Sequence, residues 1–299
     1  MNSKIWSNFS DKITTWLFLL PTCLILAITA FAPLVYSFWL SFNTLKLNVP
    51  NAKPIFVGLM NYIDMFRDER FIIAATNTVR FATISVVFEV ILGTIMAMML
   101  SSDSKKTRII VSLFLIPMII APVAAGTLWR MMLDRTTGVI NYFINLLGIT
   151  PINFLGDVKY ALKTVISVDI WRLTPWVTII IASALKGIPS TAIAAAAVDG
   201  ASKWKTFTKI ILPLLRPVMI IVLMIRITDA FKVFDTVFVM TGGGPGMATE
   251  MLPNFIYNQG LKYLNIGYSA AMAFVFILVM SLISIIFIRL RNKIDKELR

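Results

Sequence analysis

Apolar residues in this chain come in long unbroken runs separated by short polar segments. A helix needs about 20 residues to cross a bilayer. Six runs meet that length, near residues 13–34, 71–100, 109–133, 160–185, 214–239 and 268–288. They are continuous instead of alternating with period two, so they read as helices and not as barrel strands. The pattern predicts an all-α polytopic membrane protein with six transmembrane helices. An even number of spans puts both termini on one side. Segments 41–70, 134–159 and 241–267 read as outer loops, 101–108 as a short polar turn, and 186–217 as the longest inner segment. No composition shift divides the chain, so 1–299 reads as one membrane domain with the first span at its periphery.

Charge sets the orientation. With the termini inside, the inner side carries fifteen Lys and Arg, from Lys4 and Lys12 to Arg299, against five acids. The outer segments carry nine cations against six acids. The positive-inside rule therefore places both termini in the cytoplasm. It also explains the net charge of +13: ten of those charges face the inner leaflet, where they meet anionic lipid headgroups and not nucleic acid.

Eight ionisable residues fall inside the runs: Arg80, Glu89, Asp169, Arg172, Arg226, Asp229, Lys232 and Asp235. Each costs about 2.5–3.5 kcal/mol at mid-bilayer, so each should be paired or face protein or water. At 1.5 Å per residue, the charges of the fourth and fifth runs converge near mid-depth, where transporters commonly hold substrate. Asp169–Arg172, Arg226–Asp229 and Lys232–Asp235 are also i,i+3 pairs of opposite sign. Two readings stand: a substrate pathway, or structural pairs that touch no ligand. The aromatics Trp171, Trp176, Phe231 and Phe234 among them suit either sugar rings or plain packing.

Composition narrows the function classes. Hydrophobic residues make up 58% of the chain and charged ones 14%, with a mean hydropathy of +0.82. The absence of histidine removes imidazole bases and ligands. The single cysteine, Cys23, reads as a buried small hydrophobe in the first run. The first run is too long for a signal-peptide core, and Pro33 obstructs cleavage after Ala32, so it reads as an uncleaved span. No Gly-Lys dipeptide occurs, which rules out a phosphate-cradling ATPase loop. Thr241-Gly242-Gly243-Gly244-Pro245-Gly246 lacks a lysine, follows a span on the outer side, and reads as a flexible loop. No catalytic constellation or metal-ligand set is present.

Segment 186–217 has a pattern of its own. Pro189-Ser190 can start a helix, and 192–198 is nearly pure helix former. Asp199-Gly200 interrupts it. Residues 202–212 resume it, with Trp204, Phe207, Ile210 and Ile211 on one side and Lys203, Lys205 and Lys209 around the other. Pro213 and Pro217 then punctuate the entry to the fifth run. This predicts a helix–turn–helix at the membrane surface, either gripped by a cytosolic partner or lying in the headgroups.

Ala195-Ala196, Asp199-Gly200-Ala201, Phe207, Ile211 and Leu212-Pro213 together resemble the cytoplasmic EAA loop of binding-protein-dependent ABC importer permeases. Phe234-Asp235 with Thr241-Gly242-Gly243-Gly244-Pro245 resembles the carbohydrate-uptake subfamily, as do Trp171, Pro175-Trp176, Pro122-Val123 and Trp129. The likeness runs from the first span through the sixth. It implies a type I ABC importer permease fold in a bacterial-type inner membrane. Its partners would be a second permease, two ATP-binding subunits that bind ATP and Mg, and an extracytoplasmic solute-binding protein; this chain itself would carry no cofactor. The helix bearing Ala194, Ala195 and Ala196, with Asp199, Gly200 and Ala201 after it, would be the coupling helix. By the same likeness, Asp169, Arg172, Leu173 and Trp176, with Asp229, Lys232 and Val233, would lie along the saccharide pathway.

One residue departs from the family pattern. Ala194 stands where the family keeps a glutamate that pairs with a basic residue of the ATPase. Docking by shape alone, an acid on the partner permease, and a deliberate replacement each account for it. A proton-coupled secondary transporter using its intramembrane carboxylates is the rival function; it leaves the cytoplasmic motif unexplained. A membrane-embedded enzyme would need the constellations that are absent.

Overall fold

The structure, a computed structural model, describes residues 16–100 and 105–297. Lys4, Asp11, Lys12, the start of the first span at Ile13, Asp103 and Arg299 lie outside them. In order, the elements are α1 (Trp16–Ser41), a two-residue hairpin β1 (Asn43–Thr44) and β2 (Ile55–Phe56), α2 (Met60–Arg67), α3 (Glu69–Met99), α4 (Lys105–Phe114), α5 (Ile116–Ile119) and α6 (Pro122–Met132). They continue with α7 (Val139–Leu146), α8 (Val158–Lys186), α9 (Ser190–Val198), α10 (Lys203–Phe231), α11 (Asp235–Met240), α12 (Leu252–Tyr257) and α13 (Ile266–Glu297). The segments read as outer loops carry the hairpin and the short helices α2, α7 and α12.

Five helices, α1, α3, α8, α10 and α13, are each long and apolar enough to cross a membrane. The third expected span, 109–133, is not one helix: Ile109–Ile119 and Pro122–Met132 meet at 96°. Ile120 and Ala121 leave the helical region at ψ 129° and 140°. Ala121 precedes Pro122, whose ring disfavours a helical residue before it.

The fifth expected span, 214–239, is also corrected, at both ends. Helix α10 begins at Lys203, so the amphipathic run is the first turns of the span and not a separate surface helix. A wide turn at Phe207–Ile211, closed by Leu212 N–H donating to the Phe207 carbonyl, precedes Pro213. Proline has no N–H and crowds the carbonyl four residues back, and a π-type turn relieves that register. At the other end the helix stops at Phe231, and α11 starts only at Asp235.

The chain divides into two compact units: Met1–Arg67 with Ile256–Val275, and Asp68–Phe255 with Phe276–Arg299. In the first, Leu40, Leu45 and Ala270 are buried together. Asn61 Nδ2 donates to the carbonyls of Ser41 (2.8 Å) and Asn43 (2.9 Å), fixing the turn into β1. Leu47 N–H donates to Leu264 and Ile266 N–H to Leu45, stitching the two chain segments of this unit together. Most of α1 is exposed, Cys23 included, against the expectation of a buried cysteine.

The second unit holds the main core. Helices α3 and α8 start from aspartate caps, Asp68 accepting from Arg70 N–H and Asp157 from Lys159 N–H, each satisfying a donor that a helix leaves free. Phe81, Ala82, Val86 and Val90 of α3 pack on Val165, Val168, Val177 and Ile181 of α8, with Leu215 and Val222 of α10 closing the third side. Gly93 makes the close approach possible: a Cβ there would sit 2.7 Å from Val177 Cγ1.

Candidate functional site

The three core helices bring charge into the centre of the second unit. Arg226 of α10 forks onto Glu89 of α3, Nε donating to Oε2 at 2.6 Å and Nη2 to Oε1 at 2.9 Å. Its Nη2 also donates to Asp169 Oδ2 of α8 at 3.2 Å. Arg172, one turn along α8, donates to Asp169 Oδ1 at 3.5 Å. Glu89, Asp169 and Arg226 are 0%, 2% and 2% exposed. Two acids and two bases thus neutralise one another across three helices. Such a cluster is tolerated in an apolar interior because its charges are paired and hydrogen-bonded.

This corrects two of the three i,i+3 pairs read from sequence. Arg226 hydrogen-bonds carboxylates on two other helices, Glu89 and Asp169, and forms no ion pair with Asp229 among the described residues. Lys232 and Asp235 do not share a helix, because α10 has ended; Lys232 instead lies 3.6 Å from Asp229, an exposed pair. Exposed pairs of this kind contribute little. Asp169–Arg172 stands as read.

A cavity of about 150 Å³ opens beside the cluster. Six of the seven expected pathway residues line it: Asp169, Arg172, Leu173, Asp229, Lys232 and Val233. Arg226, Asp235 and Pro122 line it as well. Trp176 does not; it packs against the main core. Three acids and three bases face the cavity, so its lining is neutral overall. Arg172 Nε is buried and has no hydrogen-bond partner among the described residues. Pro175 inside α8 removes the N–H that would have met the Trp171 carbonyl one turn back. Trp171 itself stacks edge-on with Trp129, centroids 5.3 Å apart.

The inner segment is built as a rigid corner. Helix α9 ends at Asp199, and Gly200 takes φ +70°. Gly200 N–H donates to the Ala197 carbonyl (3.1 Å) and Ala201 N–H to Ala196 (2.9 Å), the paired bonds of a glycine-terminated helix. Ser202 then accepts from Lys205 N–H and opens α10. On α9, Ala196 is buried, while Ala194 and Ala195 are exposed and Val198 is 88% exposed.

The glycine-rich outer loop is not flexible in the way its composition suggests. Thr249 Oγ1 donates to the Gly244 carbonyl at 2.7 Å and lies 2.7 Å from Thr241 Oγ1. Asn77 of α3 donates to the carbonyls of Met247 and Glu250. Gly243 is buried at φ +93°, where a Cβ would collide with the Glu250 carboxylate. Gly242 also has positive φ, and Gly244 and Pro245 complete the turn. Gly243 serves tight packing, and Gly242 and Gly246 serve the positive φ of the turn.

Residues 89–299 match the family described as "Binding-protein-dependent transport system inner membrane component". The chain belongs to that family. A probable ABC transporter permease, y4oQ of Sinorhizobium fredii, is 35% identical, covering 89% of this chain and 86% of its own length. The trehalose/maltose transport system permease protein MalF of Thermococcus litoralis is 33% identical over 94% of each chain. Among solved structures, a bacterial alginate ABC transporter, in complex with an alginate pentasaccharide-bound periplasmic protein, superposes with a TM-score of 0.84 at 22% identity, covering 98% of this chain and 99% of that one. The fold is that of a type I importer permease, and the family member is a multi-pass membrane protein.

Sequence reasoning missed Glu89 as the main partner of Arg226. The signal was present: a lone glutamate within an apolar run must find a cation, and Arg80, nine residues away on the same helix, points elsewhere.

Proposed function

We propose that this chain is the permease subunit of an ATP-driven ABC importer for a neutral saccharide or polyol, forming half of the translocation pathway. Family membership supports the importer role, and relatives named for trehalose and maltose transport support the substrate class. The observation that carries the neutral substrate is the cavity beside Arg226: its charges cancel, three acids against three bases. A neutral polyhydroxyl ligand finds donors and acceptors there without adding charge to a low-dielectric site. The cavity holds about five waters' volume, so a longer saccharide needs the pathway completed by a second permease.

In this reading both termini are cytoplasmic. The exposed face of α9, with Ala194 and Ala195 over the buried Ala196, and the turn Asp199, Gly200 and Ala201 after it dock on one of two ATP-binding subunits, which carry the ATP and Mg. An extracytoplasmic solute-binding protein delivers the substrate. Copurification of the full chain with an ATP-binding subunit, followed by ATP-dependent uptake of labelled trehalose or maltose, tests the assignment. Competition by neutral disaccharides, and none by a uronic acid, is the expected outcome. Uptake driven by a proton gradient through this chain alone in liposomes would sink it in favour of a secondary transporter.

A further inference from the structure

Away from the charged cavity, α3 and α10 diverge and leave a groove of about 570 Å³ whose wall is almost wholly apolar. Ile91, Ile95 and Met98 line it from α3, and Phe207, Leu212 and Met219 from α10. Ile95 and Met98 are exposed, so the groove is open along its side. From Val90 to Met99 it runs about 14 Å along α3, close to the depth of one leaflet, half of a hydrocarbon core about 30 Å thick.

The inner mouth differs in chemistry. Lys203 and Trp204 line it, Trp204 being 73% exposed. Among the described residues no acidic side chain pairs with Lys203. An indole at this level suits the membrane–water interface, and a basic mouth between membrane helices on the cytoplasmic side suits an anionic headgroup. An acyl-length apolar channel ending in an unpaired cation matches one kind of occupant.

We infer that this groove is a binding site for an anionic phospholipid of the inner leaflet, with one acyl chain between α3 and α10 and its phosphate at Lys203. The Phe207 wall belongs to the wide turn that precedes Pro213, so the lipid braces the segment linking the inner corner to the charged cluster. The site is distinct from the saccharide cavity and does not depend on the identity of the transported solute.

Native mass spectrometry of the purified full chain, titrated with phosphatidylglycerol and with phosphatidylcholine of matched acyl chains, tests it. The wild type should retain one phosphatidylglycerol more tightly than phosphatidylcholine. Lys203→Gln should cut that preference about fivefold, the share of one interfacial lysine. Ile95→Trp, which fills the groove from its exposed wall, should weaken retention of both lipids. Phe88→Trp, on the same helix but outside the groove, should change neither and serves as the folding control. Equal retention of the two lipids by the wild type overturns the assignment. So does an unchanged preference in Lys203→Gln, or unchanged binding in Ile95→Trp. A groove filled by another protein subunit would show as an assembled complex that retains no lipid there, which overturns it equally.

Discussion

Arg226 and Glu89 meet through two parallel hydrogen bonds, of 2.6 and 2.9 Å, although 137 residues separate them in the chain. The fork matches guanidinium to carboxylate in one plane and fixes the rotation of α10 against α3. Asp169 accepts from the same Nη2 that bonds Glu89, so α8 is held by the same cation.

Removing that cation leaves the buried Glu89 carboxylate without a partner and leaves Asp169 only its 3.5 Å contact with Arg172. Arg226→Leu should destabilise the protein by about 3–5 kcal/mol, the usual penalty for breaking a buried pair from one side. Thermal unfolding in detergent measures it. Adding Glu89→Gln to Arg226→Leu should recover part of the loss, because one stranded charge is gone. A double variant less stable than the single one would show that Glu89 is not held by its charge.

The inner corner makes a second prediction. A Cβ on Gly200 meets nothing within 4 Å, so Gly200→Ala tests backbone conformation alone. The left-handed geometry should cost about 1–2 kcal/mol, and Gly200→Asn less, since asparagine tolerates that region. Limited proteolysis between α9 and α10 should detect the loosening. Equal protection in all three proteins would argue against the left-handed turn.

Ala194 is exposed, so Ala194→Glu should leave stability within about 0.5 kcal/mol. With the ATP-binding subunits present it should raise saccharide-stimulated ATP hydrolysis, by adding an ion pair to the docking face. A fall in coupled hydrolysis would show that a missing acid does not limit this subunit.

The glycine-rich loop hangs on one side chain of α3. Asn77→Leu removes both bonds to the Met247 and Glu250 carbonyls and should cost about 1–3 kcal/mol through those unpaired acceptors. Hydrogen exchange across 241–250 should speed up, while exchange in α8 stays slow.

In the turn after α6, Asp134 accepts from the backbone N–H of Thr137, from the Thr136 hydroxyl and N–H, and from the Thr137 hydroxyl, all within 2.9 Å. Those donors hold its carboxyl well below the usual aspartate range. A depressed folded-state pKa contributes stability in full above the unfolded value and loses it progressively as pH falls from there through the folded one, while the folded carboxyl stays ionised until the folded value is reached. The turn at 134–138 should therefore stay ordered from neutral pH down through ordinary carboxylate titration, and loosen only in strong acid. Nuclear magnetic resonance of the Thr136 and Thr137 amides against pH would follow it; a transition near pH 4 would contradict the hydrogen-bonded geometry.

The long helices and the α9 corner were legible because their causes are local: apolar length, an alanine run, a glycine after an aspartate. Two kinds of feature were not. The break before Pro122 depends on Ile120 and Ala121 adopting extended backbone; Pro122 was its mark, but the unbroken apolarity of 109–133 outweighed it in the span pattern. The end of α10 at Phe231 has no proline or glycine to announce it. Charge pairing escaped for another reason. Neighbours at i,i+3 suggested that Arg226 would meet Asp229, but only the packing of α3 against α8 and α10 brings Glu89 within reach. The convergence of charge at mid-depth could be read; which acid met which base could not.

Because α10 is one helical span from the Gly200 corner to the charged cavity, widened at Phe207–Ile211, it can act as a lever. Arg226 lies about 35 Å along it from Lys203. A tilt of about 5° at the inner end would carry the guanidinium sideways by about 3 Å, more than a hydrogen bond can stretch. The geometry of the ionic cluster is therefore sensitive to small tilts of α10.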